Sequence, residues 1–191
     1  MPANRPSLDA MQALARQLSS PVAALFPAHG GEAGPPTAID ESLPVWRIDP
    51  DVSTRDTLNL SELASPTEIW HHQVLVSDVP AAYARSWFTE GTLHLLSVVP
   101  SELAGRLGRV LKSLEETERA EDELRLLVAP LYQVTALWNV NATSQLRVLF
   151  APPAAGFPDP LTPLEEEAFL VRLRAAQRFP GRVPIRRANP S

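Results

Sequence analysis

The chain contains no cysteine. That removes disulfides, thiolate nucleophiles, iron–sulfur clusters and cysteine-ligated zinc together. Lysine is nearly absent too: Lys112 is the only one, so positive charge rests on arginine. The net charge of −5 gives no whole-chain case for nucleic acid or an anionic membrane. No apolar run approaches the ~20 residues needed to span a bilayer, and Met1 to Pro6 lack the basic-then-apolar layout of a secretion signal. A soluble, cytoplasmic protein is the expectation, and in that compartment the glycosylation patterns at Asn59 and Asn141 are empty.

Catalytic signatures are also missing from the sequence. There is no Gly-x-Ser-x-Gly elbow, and Gly30, Gly31 and Gly34 lack the Lys-Ser/Thr of a phosphate loop. The carboxylates between Glu115 and Glu123 read as a solvated face. No cofactor is expected.

What the chain does have is alternation. From Tyr132, the residues Val134, Ala136, Trp138 and Val140 fall on one side, and Gln133, Thr135 and Asn139 on the other, with Leu137 the apolar exception. That predicts a strand with one buried and one wet face. Arg125 and Arg147 take outward positions among Leu124, Leu126, Val128 and among Leu146, Val148, Phe150. Three such strands with no room for a helix between them predict an antiparallel meander. Upstream, Ile69 to Val76 alternates, Asp78-Val79-Pro80 signals a turn, and Ala81 to Phe88 returns as a hairpin partner. A helix competes for that alanine-rich return. Thr92 to Val99 adds another strand.

Helices are marked by caps and stripes. Ser101 precedes Leu103, Leu107, Val110, Leu111 and Leu114, with Gly105 and Gly108 suggesting close approach to the sheet. Thr162, Pro163 and Glu165 form a capping box ahead of Phe169, Leu170, Leu173 and Ala176. Near the start, Ser7 caps a stripe of Leu8, Met11, Leu14, Leu18, Val22 and Leu25, which must be covered by its own domain or by a partner's groove.

Assembled, the sequence predicts an α+β fold: roughly five antiparallel strands, helices packed on one face, and an N-terminal helical extension. Residues 1–44 read as that helix plus a Pro/Gly-rich linker, 45–179 as a single domain, and 180–191 as a basic disordered tail.

Five residues are candidates for a binding site: Trp46, His71, His72, Arg85 and His94. Adjacent strand residues point to opposite faces, so His71 and His72 do not share a metal, and no third ligand stands at a metal-site spacing. Trp46 lies outside the clear alternation and suggests an interface. The expected function is a non-catalytic binding or accessory protein working through protein–protein contacts, by its sheet face or its N-terminal helix. The alternative is a small-molecule binder or enzyme with a pocket near His71, His72, His94 and Arg85. The arginines from Arg172 to Arg187 raise nucleic acid as a third reading, which the lack of stacking aromatics and of a binding motif disfavours.

Overall fold

A computed structural model of the chain describes residues 6–27, 37–48, 52, 57, 59–115, 123–140 and 144–176. The elements run α1 (Leu8–Leu25), β1 (Thr37–Ile48), α2 (Leu60–Leu63), β2 (Ala64–Val76), β3 (Val79–Thr89) and β4 (Thr92–Pro100). They continue as α3 (Glu102–Glu115), β5 (Glu123–Ala129), β6 (Val134–Val140), β7 (Gln145–Phe150), β8 (Leu164–Glu165) and α4 (Glu166–Ala175). One eight-stranded sheet holds them in the order β4-β3-β2-β1-β5-β6-β7-β8. Every pairing is antiparallel except β1 with β5, where Val45 lies opposite Leu126 and Arg47 opposite Val128. The sheet is thus two antiparallel halves joined by one parallel seam.

Both tight turns of the first half are built from left-handed residues. Ser77 and Asp78 have φ of 51° and 62°, and Glu90 and Gly91 have 49° and 78°. Two consecutive left-handed residues match the right-handed twist of the strands they join.

Helices cover both faces, not one. Leu107, Val110 and Leu114 of α3 pack on Leu43, Val45, Leu126, Leu137 and Leu149. Phe169, Leu170 and Leu173 of α4 pack on Leu127, Ala136, Trp138 and Val148. Leu126 and Leu127, Leu137 and Trp138, and Val148 and Leu149 are consecutive strand residues, so α3 and α4 lie on opposite sides. α1 joins α4's side: Leu18 and Val22 sit on Val74, Ala82 and Ala84, and Leu14 on Trp70 and Leu93.

The sequence expectation therefore falls short in three ways. There are eight strands instead of five, one pair is parallel, and the second face is covered. Asp40, Glu41, Ser42 and Pro44 interrupt the alternation that would have marked β1, whose first part lies in the stretch expected to be a linker. Strands buried on both faces read as continuous apolar runs, and Leu126-Leu127-Val128 is one. The face of β6 expected to be wet carries Leu137 and Asn139, only 1% and 7% exposed, on the side α3 covers.

Arg125 also departs from its outward reading. It stands opposite Trp138 in the β5–β6 register, and its guanidinium lies 3.9 Å from the Trp46 ring centroid and 4.9 Å from that of Trp138. Glu123 accepts its Nε–H at 2.9 Å. A guanidinium is flat and weakly hydrated, so it can be stacked on indole where a strand face would otherwise demand an apolar residue.

α1 begins where its cap predicts, with the Ser7 Oγ accepting the Ala10 N–H at 3.2 Å. Pro21 is accommodated inside the helix. Its stripe is covered by the protein's own sheet: Leu14, Leu18 and Val22 are fully buried, and only the ends, Leu8 and Leu25, stay exposed. α4 starts at Glu166, later than its capping box predicts, because Leu164 and Glu165 extend the sheet against Leu146 and Gln145. The proposed basic tail, the acidic 116–122 and the glycine-rich 28–36 lie outside the described residues. Among the described residues no helix is long and apolar enough to cross a membrane.

Candidate functional site: a cleft beside the third helix

Beside the parallel seam, the described residues leave part of one face open. Between Pro44 and Trp46 the β1–β2 register shifts: Pro44 opposes Trp70, but Trp46 opposes Pro66. The Thr67 hydroxyl donates to the Val45 carbonyl at 2.7 Å and accepts the Ile69 N–H at 3.1 Å, satisfying backbone groups that the irregular ladder leaves over. α3 reaches this region only with Leu103, in its first turn. The result is an open cleft of about 390 Å³ on the α3 face, crossing β3, β2, β1, β5 and the start of β6.

Its walls include Val45, Ile69, Leu103, Leu126 and Val128, with His71, Tyr83 and Thr135 beside them and Arg47 and Arg85 in the same lining. No carboxylate lines it among the described residues. His71 stands opposite Arg85 in the β2–β3 register and stacks on Tyr83, centroids 4.6 Å apart and planes 21° from parallel. The ring is 3% exposed, and its Nε2 has no hydrogen-bond partner. Burial, with the nearby Arg85 guanidinium adding to it, lowers the His71 pKa to about 4. The ring is therefore neutral near pH 7. Arg85 is exposed and donates its Nε–H to the Ser97 hydroxyl at 3.1 Å, which draws it towards β4. Arg47, also exposed, lines the cleft on β1, beside Val128 of β5.

Of the five sequence candidates, His71 and Arg85 meet in this cleft. His72 lies on the opposite face, fully buried, with Nδ1 2.8 Å from the Ser42 hydroxyl and Nε2 2.7 Å from that of Ser86. Burial, then the neighbouring His71, lowers its pKa to about 3. Both ring nitrogens are engaged, so His72 pins β1, β2 and β3 together beneath α1. His94 is exposed on β4 opposite Trp87, two strands away from His71. Trp46 is on the α4 side, edge-on to Trp138 at 5.8 Å and covered by Arg125. Among the described residues no group of three or more His, Asp or Glu could hold a metal ion.

Arg47, Tyr83 and Thr67 were not anticipated as site residues. Tyr83 could have been found, since it shares the alternation of Arg85. Arg47 could not, because its place depends on the pairing of β1 with both β2 and β5. The cleft combines an apolar floor, the charges of Arg47 and Arg85, and a neutral histidine, and among the described residues its lining holds no carboxylate. No protein-family model, no curated protein and no solved structure matches the chain.

Proposed function

We propose that the protein is a non-catalytic binding protein that works through protein–protein contacts, and that the cleft beside α3 is its contact surface. The observation that carries this reading is that, among the described residues, an apolar sheet face is left open with Arg47 and Arg85 and no carboxylate in its lining. Trp87, 38% exposed and opposite Ile69 in register, extends the surface towards β4. Arginine and tryptophan are the side chains that most often dominate binding energy at protein interfaces. The N-terminal helix does not compete for this role, because its stripe already lies on the sheet.

The volume of about 390 Å³ favours a second reading, a small-molecule site, since such sites fall in the range of roughly 300–1,000 Å³. Both readings place the ligand in the same cleft.

An anionic naphthalene sulfonate dye tests the location. Its fluorescence should rise saturably with one dye per chain, and Val128→Asp should weaken binding about tenfold without moving the thermal midpoint by more than a few degrees. Absence of saturable binding, or binding indifferent to both Val128→Asp and Arg85→Glu, overturns the assignment.

A further inference from the structure

We infer that the cleft recognises an extended segment of a partner protein carrying two carboxylates four residues apart, with an apolar side chain between them. This rests on the reading of the cleft as a protein-contact surface.

The spacing comes from the register. Leu43, His71 and Arg85 stand level across β1, β2 and β3. Arg47 lies further along β1, beyond the register shift. With a strand rise of ~3.3 Å per residue and a strand separation of ~4.8 Å, the Arg47 and Arg85 Cα atoms are on the order of 15 Å apart. Arg85 is drawn away from Arg47 by its bond to Ser97. The two guanidiniums therefore do not converge on one carboxylate; they mark two anionic positions with Ile69 of β2 and Val45 of β1 between them.

An extended peptide advances ~3.3 Å per residue and points alternate side chains the same way. Residues i, i+2 and i+4 of such a segment face the sheet together. Acids at i and i+4 reach the two arginines, and an apolar residue at i+2 meets the floor. The chain as a whole is acidic, at −5, so its remaining surface repels such a segment while the cleft attracts it. The only carboxylate bonded at this margin is Glu68, whose Oε2 accepts the Trp87 Nε1–H at 2.6 Å among the described residues.

The test uses the full chain and three labelled five-residue peptides of one apolar pattern, read by fluorescence anisotropy. One carries glutamates at both ends, one glutamines and one lysines. Dodecanedioate serves as a small dianion of similar span. The glutamate peptide should bind about tenfold or more tighter than the glutamine peptide, and Arg47→Glu and Arg85→Glu should each remove about that much. The doubly reversed protein should keep its thermal transition and prefer the lysine peptide, whereas a control of equal net charge, reversed at the exposed Arg16 and Arg109, should not. Equal binding of glutamate and glutamine peptides overturns the inference, as does indifference to both reversals. Dodecanedioate binding more tightly than the peptide overturns it too, in favour of the small-molecule reading. If the dye binds the cleft and no peptide does, this inference falls while the cleft stands as a binding site.

Discussion

His71 and His72 are consecutive in the chain, yet the sheet separates their rings. His71 stacks on Tyr83 on the α3 face, and His72 lies beneath α1 between the hydroxyls of Ser42 and Ser86. Both are held neutral, with pKa values lowered to about 4 and about 3, burial being the larger cause in each.

Stability should therefore fall on mild acidification. Above the unfolded value of ~6.5, neither state binds an extra proton at these rings. Below it the unfolded chain takes up protons that the folded one refuses, so stability is lost from about pH 6.5 down to the two folded values. Between pH 7 and pH 5 the loss should be about 2 kcal/mol for each ring. Urea melts at both pH values measure it, and His72→Asn should flatten the dependence. A midpoint unchanged over that range contradicts the buried, neutral assignment.

Trp138→Ala should cost about 3–5 kcal/mol. The ring is 2% exposed, its Nε1–H donates to the Ser144 hydroxyl at 2.9 Å, and it supports both Trp46 and Arg125. A midpoint shift corresponding to less than about 1 kcal/mol means the β6 register is wrong.

Within α1, position decides the effect of one substitution. Leu18 is fully buried on Val74, Ala82 and Ala84, whereas Leu25 is 39% exposed. Leu18→Ala should destabilise by about 2–5 kcal/mol and Leu25→Ala by under 1 kcal/mol. Similar small losses at both sites in chemical denaturation would show that α1 does not rest on the sheet.

The two glycines of α3 should part company. A Cβ on Gly108 would meet the Gln73 Nε2 at 2.8 Å and the Pro80 ring at 3.0 Å, while nothing lies within 4 Å of one on Gly105. Gly105→Ala should raise stability by up to about 1 kcal/mol through helix propensity and reduced chain entropy. Gly108→Ala must displace an amide that donates to the Ala104 carbonyl at 3.0 Å, and should lower the thermal midpoint. Equal gains from both would place α3 further from β2 and β3 than the structure has it.

Local chemistry made much of this molecule legible. Asp78 and Gly91 marked turns, Ser7 marked a helix start, and the alternation around Trp138 marked the meander. What alternation could not convey was pairing between distant segments. β1 is interrupted by polar residues and a proline, yet it holds the sheet's centre because Val45, Trp46 and Arg47 meet Leu126, Leu127 and Val128. The cleft depends on that seam. Hence His71 and Arg85, level on one hairpin, could be grouped from sequence, while Arg47, on the distant strand β1, could not.

The most direct measurement of the cleft's role is amide chemical-shift mapping of the isotope-labelled protein during titration with the naphthalene sulfonate dye. Saturable shifts should centre on Val45, Ile69, His71, Tyr83 and Val128, with α1 and α4 unmoved. Shifts concentrated on α1 or α4, or none that saturate, would contradict that role.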